Sequence, residues 1–366
     1  MKTEKSKYGQ FNTGVNECEL TMNELKKITD LHGDILEPSF GTGNFVNELL
    51  KYDVSIDAFE IDKNVYKPID GCNCFNSDFL LQEINKKYDF IIGNPPYIEL
   101  TYSYYTDEDK KKLEKLFKLK GRGRINLIHL FFDRTFQLIK EKGFIAFLLP
   151  STILTSPWYN DIRKKIYEEY SVLNIIENVP FKEVSISVCL LILQKKVDDK
   201  HKFVEKNDEF YILTKNKNIS NKTTLKQKGF KCQIGDILWY KVKESLTDNI
   251  NDKTLIYTNN IKYGELEIGK KLKSKIEGKK QYISVYNSPL INNCIITPRV
   301  VGKKMKHYLL LNNNKYVFEN HVLIITHDDI KKLKELNKII TDPNVGFNKF
   351  FNSTCLTATE LLNFSY

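Results

Sequence analysis

The chain has 366 residues, 41% of them hydrophobic, with a formal net charge of +10, enough apolar content for a sizeable core and enough length for two domains. No stretch approaches 18 uninterrupted apolar residues, so a membrane span is not expected. Met1-Lys2-Thr3-Glu4-Lys5 has no apolar core of signal-peptide type, and an intracellular, cytoplasmic protein is expected.

In chain order, the first informative element is Gly33-Asp34-Ile35-Leu36-Glu37, a buried strand. It runs into the loop Pro38-Ser39-Phe40-Gly41-Thr42-Gly43 and an amphipathic helix through Leu49 and Leu50. This reads as a cofactor-binding βα turn, in which Gly41 and Gly43 let the backbone approach a ligand closely. The loop lacks the Gly-Lys-Ser/Thr ending that cradles a triphosphate, so a nucleotide phosphate is not favoured. Val54 to Glu60 forms a second strand, and its terminal acid lies 19 residues after Gly41. A doubly wound sheet places the carboxylate that binds ribose hydroxyls there. Asp78, after the short run Cys74-Phe75-Asn76-Ser77, can accept a hydrogen bond from a cofactor's adenine amino group.

Tyr88 to Gly93 is the next apolar strand, and Asn94-Pro95-Pro96-Tyr97 follows it directly. This set suits methylation of an exocyclic amine on a planar base, a poor nucleophile because its lone pair is delocalised into the ring. If the Asn94 side-chain oxygen and the Pro95 carbonyl each accept one N–H, the nitrogen can pyramidalise and point its lone pair at an electrophile. The prolines fix φ and remove two N–H donors, so the carbonyl holds its direction during reaction. Tyr97 offers a face on which the base stacks. Taken alone, the run also fits a stiff turn ending a strand.

Leu113, Leu116 and Phe117 fall at helical spacing within the lysine-dense segment 107–120, which predicts a short surface helix. Gly121-Arg122-Gly123-Arg124 then forms a cationic loop beside the catalytic motif, with Arg122 and Arg124 as candidate contacts to a nucleic-acid backbone. A helix from Ile125 to about Lys140 and a buried strand from Gly143 to Pro150 come next. Phe181, before the apolar run Ile186 to Leu193, fits a core phenylalanine ahead of a hairpin.

The motifs in this order resemble the class I methyltransferase fold and, closely, the gamma class of adenine-N6 DNA methyltransferases. The resemblance spans roughly residues 8 to 193. It implies S-adenosylmethionine as cofactor, bound near its methionine part by the segment from Glu37 and Pro38 through Gly41 and Gly43. It also implies Glu60 at the ribose, Asp78 at the cofactor adenine, and Asn94 against both cofactor and target amine, with Asn94, Pro95 and Tyr97 as the catalytic set. Phe181 and Tyr97 would flank a flipped adenine. The family's N-terminal segment over the methionine moiety is similar to Tyr8-Gly9-Gln10-Phe11-Asn12-Thr13-Gly14, which makes Thr13 a cofactor contact. Here the sequence departs, because a proline usual after the threonine is Gly14.

The expected architecture is α/β. A Rossmann-like class I methyltransferase domain with a mostly parallel twisted sheet occupies residues 1–198, and an α+β target-recognition domain occupies 199–366. Residues 1–100 carry 10 Lys+Arg against 17 Asp+Glu, and residues 201–366 carry 28 against 16, so the positive charge is C-terminal. Phosphate neutralisation dominates nucleic-acid affinity, so a basic second domain suggests a clamp on double-stranded DNA. Within it Lys279, Lys280, Arg299, Lys303 and Lys304 are candidate DNA contacts, Arg299 also being able to read a guanine edge. Each of them also fits a solvated loop or helix face.

Seven cysteines without metal-like pairing read as reduced thiols, and no metal centre is expected. The resemblance makes a restriction-modification setting plausible, with any restriction endonuclease on a separate chain. Two other readings stay open at this point. One is an N-methyltransferase of ribosomal RNA guanine or of a protein glutamine, since both present a conjugated amine. The other is a non-catalytic DNA-binding homologue.

Overall fold

The computed structural model describes residues 13–100, 105–118, 125–181, 186–195, 203–215, 223–268, 280–287, 289–299, 305–342 and 356–364. The chain divides into two compact units, Met1–Leu154 with Trp158–Lys217, and Thr155–Pro157 with Asn218–Tyr366.

The first unit is built on a seven-stranded sheet. Its strands are β1 (Asp34–Glu37), β2 (Ser55–Phe59), β3 (Asn73–Phe75), β4 (Tyr88–Gly93), β5 (Ile139–Pro150), β6 (Tyr170–Val179) and β7 (Val188–Lys195). They lie in the order β3-β2-β1-β4-β5-β7-β6. Strands β3 to β5 pair in parallel, and β7 runs antiparallel between β5 and β6. Alternate residues feed separate cores. Ile35, Phe90, Ile92, Ala146 and Leu148 pack with Cys18, Met22 and Leu25 of helix α1 (Val15–Lys26) and Phe45 and Leu49 of α2 (Asn44–Leu49). On the other face Leu36, Ile91, Ile145 and Phe147 pack with Phe131, Phe132 and Phe136 of α4 (Leu127–Leu138) and Ile162 and Ile166 of α5 (Asn160–Glu169). Burial on both faces is why these strands read as continuous apolar runs.

Helix α3 (Asp107–Phe117) starts at a Thr106/Asp109 capping box. Its buried stripe is Leu113 and Phe117, whereas Leu116 is 45% exposed and takes no part in the expected apolar face. Residues i and i+4 stack on one side of a helix, and Leu116 falls off that line.

The second unit is α+β. One four-stranded sheet is Lys231–Ile234, Val322–Thr326, Cys294–Pro298 and Tyr308–Leu310. The other is Leu246–Thr247, Tyr282–Ile283, Lys253–Ile256 and Tyr316–Phe318. Helices Ile330–Thr341 and Ala358–Leu362 complete the described part. No described helix is long and apolar enough to cross a membrane, and the described residues hold no cluster of metal-ligating side chains.

Candidate active site

Strand order reverses at β1, which lies between β2 and β4, and such a switch point opens a crevice at the carboxyl ends of the strands. The chain delivers a polar residue to that rim at each step. Glu37 ends β1, Glu60 follows β2, Asp78 lies three residues beyond β3, and Asn94 follows β4.

Glu37 is fully buried, and burial, with the charge of Glu60, raises its pKa well above the ordinary glutamate value against the opposing pull of the Ser39 N–H. Its Oε1 accepts that N–H at 3.2 Å, while Oε2 is buried without a hydrogen-bond partner. Room for the carboxylate comes from Gly93, where a Cβ would stand 2.3 Å from Oε1. A carboxyl with a raised folded-state pKa holds its proton more tightly when folded. The stability it contributes is full below the unfolded pKa and is lost as pH rises through the folded one. Glu37→Gln is therefore expected to match wild type below about pH 4.5, the ordinary value, and to exceed it in thermal stability at neutral pH without cofactor. Parallel melting curves from pH 4 to 8 check this, and equal pH slopes for the two proteins would refute it.

The loop between β1 and α2 turns through Gly41 (φ 56°) and Gly43 (φ 88°), left-handed conformations that glycine adopts without strain. Glu60 organises this loop from the next strand, since one carboxylate oxygen accepts the Gly41 N–H at 2.9 Å and the other the Asp62 N–H at 2.8 Å. Pro38 is buried at the start of the loop. The Asp78 carboxylate accepts the Leu80 N–H at 2.8 Å through Oδ1, and Oδ2 is buried without a hydrogen-bond partner. Burial raises its pKa despite the Leu80 N–H and the Tyr105 hydroxyl.

Asn94 joins three parts of the chain. Its Nδ2 donates to Thr13 Oγ1 at 3.1 Å, and its carbonyl oxygen accepts from Ser39 Oγ at 3.1 Å. Its Oδ1 lies within hydrogen-bond distance of the Tyr97 hydroxyl, which also reaches the Leu148 carbonyl at 2.9 Å. Burial keeps that phenol protonated, its pKa well above the usual range. Tyr97 and Phe181 pack at the margin of the same apolar cluster as Leu148, and Pro95 is buried beside them in sequence. Thr13 also accepts from Asn44 Nδ2 through its own carbonyl at 2.7 Å, so it ties the glycine-loop helix to the Asn94 motif. Gly14, at φ −73°, occupies the dihedral that a proline there would have.

Sequence reasoning missed Ser39, Asn44 and the Leu148 carbonyl as second partners in this network. Ser39 and Asn44 flank the glycines, but nothing in their spacing signals partners 55 and 31 residues away. Among the expected DNA contacts, Lys280 is paired with Asp248 at 3.1 Å, and Arg299 is half-buried with Nε unpartnered. Arg122, Arg124, Lys279, Lys303 and Lys304, and residues 8–12, lie outside the described residues.

The rim therefore offers unmet carboxyl oxygens on Glu37 and Asp78, the Glu60 carboxylate, and a loop held open by glycine. A lining dominated by carboxyl groups suits a ligand with an ammonium, ribose hydroxyls and an adenine amine, and disfavours a phosphate. S-Adenosylmethionine fits this set.

Comparisons with known proteins agree. Residues 44–184 match the family described as Eco57I restriction-modification methylase. Modification methylase CviBIII of Paramecium bursaria Chlorella virus NC1A is 26% identical over 339 residues, covering 90% of this chain and 85% of that protein. Type II methyltransferase M.AccI of Acinetobacter calcoaceticus is 27% identical over 183 residues, covering 46% of this chain and 34% of its own length. In fold, the type IIL restriction-modification enzyme MmeI, solved in complex with DNA, superposes with a TM-score of 0.55 at 13% identity, covering 95% of this chain and 64% of that one. This chain thus spans about a third of M.AccI and under two thirds of that MmeI chain. S-Adenosylmethionine is the methyl donor. Residues 44–184, which carry strands β2 to β5 and the Asn94 to Tyr97 motif on a class I methyltransferase fold, are thus similar to the Eco57I restriction-modification methylases.

Proposed function

We propose that this protein is a site-specific DNA methyltransferase acting on N6 of an adenine rotated out of duplex DNA. The observation that carries the reading is Asn94 at the end of β4, held by Thr13, Ser39 and Tyr97 with its amide oxygen on the cofactor rim. When bound, S-adenosylmethionine supplies an electrophilic methyl group.

The protein's own residues do the rest. Asn94 Oδ1 accepts one amine N–H, while the Pro95 carbonyl accepts the other. With both hydrogens held, the amine lone pair is freed from the ring and aimed at the methyl carbon. The bound cofactor would supply the methyl group to that nitrogen and leave as its neutral thioether, and the proton would leave the nitrogen afterwards, so no strong general base is needed. Rotating the base out of the stack costs a few kcal/mol. Stacking on Tyr97 and Phe181 returns about 1–3 kcal/mol per contact. Glu37, Pro38, Gly41, Gly43, Glu60, Asp78 and Thr13 are proposed as the cofactor's seat, with residues 1–198 as its domain and the basic remainder, 199–366, as the recognition domain. Duplex DNA is the proposed partner, with a restriction endonuclease carried on a separate chain.

The test is incubation of purified protein with methyl-labelled S-adenosylmethionine and, separately, unmethylated duplex DNA, ribosomal RNA and protein extract, followed by digestion of the labelled product. N6-Methyladenine in DNA alone is expected. Label in guanine of RNA or in glutamine would move the assignment to those substrates, and no label with retained cofactor binding would mark a non-catalytic homologue.

Tyr97 has two separable tasks. Tyr97→Phe keeps the ring but removes the hydroxyl from Asn94 Oδ1 and Leu148 O. It is expected to lower kcat about 10-fold with KM for DNA little changed, whereas Tyr97→Ala removes the stacking face too and impairs both. An unaltered kcat in Tyr97→Phe would assign the hydroxyl to folding alone.

A further inference from the structure

We infer that the turn Glu319-Asn320-His321, with Arg299 beside it, reads base edges in the DNA major groove, Arg299 facing guanine; this rests on the proposal that duplex DNA is the substrate. The turn joins strands Tyr316–Phe318 and Val322–Thr326 and is closed by the Val322 N–H donating to the Glu319 carbonyl at 2.9 Å. Glu319 is 2% exposed, and its carboxylate is turned wholly onto His321. Oε1 accepts the imidazole Nδ1–H at 2.6 Å, and Oε2 accepts the His321 backbone N–H at 3.2 Å. The imidazole is thereby fixed in tautomer and direction, with Nε2 on the side away from Glu319. The His321 side chain is 55% exposed, so the fold presents a ring that it has also oriented.

Arg299 is the neighbour of His321 across the sheet. Pro298 pairs with Val322, and one step on the Arg299 N–H donates to the His321 carbonyl at 2.9 Å, so the two side chains share a face. The Arg299 carbonyl accepts the Leu356 N–H, which fixes its backbone from the other side.

Two polar atoms of this tip are buried with no hydrogen-bond partner: Arg299 Nε, a donor, and Asn320 Oδ1, an acceptor. A phosphate bears acceptors only and leaves Asn320 Oδ1 unmet beside a buried carboxylate. A base edge bears both donors and acceptors. Guanine O6 and N7 suit the arginine fork, and an adjacent amino group suits the asparagine oxygen. The O6 and N7 edge of guanine lies in the major groove.

The test uses the full chain as wild type, Arg299→Lys and His321→Gln, each first compared by thermal unfolding. All three methylate unmodified genomic DNA, and modified positions are mapped by single-molecule sequencing at several salt concentrations. Both variants keep a polar group and most of the side chain, so a misfolded one leaves the other for comparison. The expected result is a consensus that becomes degenerate at one guanine for Arg299→Lys and at a neighbouring position for His321→Gln. Discrimination there falls about 10- to 100-fold and the salt dependence is unchanged. An unchanged consensus at wild-type rate overturns the inference. So does a uniform loss over all sites with a shallower salt slope, which marks a phosphate contact. If the wild type labels RNA or protein and not DNA, the substrate reading falls and this one with it.

Discussion

Asn94→Ala is expected to lower kcat for methyl transfer by about 10²- to 10³-fold, the usual effect of losing one preorganised hydrogen-bonding group at a reacting centre. Cofactor affinity should change little, because the buried acceptors proposed for the cofactor seat belong to Glu37, Glu60 and Asp78. Asp78→Ala should behave in the opposite way. It removes a buried carboxylate whose Oδ2 has no partner of its own, so it is expected to weaken S-adenosylmethionine binding about 10-fold or more while saturating cofactor restores much of kcat. Calorimetric titration of cofactor, set beside single-turnover methylation at saturating cofactor, separates the two. If both variants lost binding and turnover in parallel, Asn94 would be part of the cofactor seat and the division of roles would be wrong. The Asn94 Nδ2 to Thr13 bond is the route by which that could happen, and Thr13→Val, which keeps the shape and removes the acceptor, isolates it.

The acids at the strand ends and the Asn94 motif were legible because the chemistry restricts residue type and the fold restricts spacing. An electrophile-binding crevice at a switch point needs acceptors one strand apart, and Glu37, Glu60, Asp78 and Asn94 recur at that interval. The parallel strands were legible as apolar runs for the same reason that they lie buried on both faces. Contacts between distant segments were not. The Tyr97 hydroxyl meets a carbonyl 51 residues away, and Asn94 meets a threonine 81 residues away, and neither separation leaves a periodic trace. Strand β5 begins at Ile139, four residues before the expected start at Gly143, because Lys140 is held by Asp89 at 2.8 Å and Asp34 at 3.2 Å. A polar stretch with its own ion pairs continues a strand that hydropathy alone would end. In the basic half, composition pointed to DNA but not to which lysines are free for it, and Lys280 already has an acidic neighbour.

The most unexpected residue in the first unit is Arg163, which composition would place at the surface and the fold buries completely on helix α5. Its Nε donates to the Tyr211 carbonyl at 2.5 Å and Nη1 to the Ile153 carbonyl at 2.9 Å, while Nη2 reaches Asn160 Oδ1 at 3.4 Å. The guanidinium thus joins the turn that follows β5 to the strand Phe210–Leu213, with the Phe210 ring 5.3 Å from its central carbon. Only a planar fork reaches such separated acceptors, so lysine is not a substitute. Arg163→Ala leaves two carbonyls unmet and opens a cavity, and each buried unmet group costs about 1–3 kcal/mol. A loss on the order of 3–5 kcal/mol is expected, large against the 5–15 kcal/mol that holds a typical domain. Arg163→Met fills most of the space but restores no donor, so it should recover the cavity part and little else. Urea unfolding with unchanged m-values would measure both. Arg163→Met as stable as wild type would show that water satisfies these carbonyls and that the guanidinium is not what closes this side of the catalytic unit.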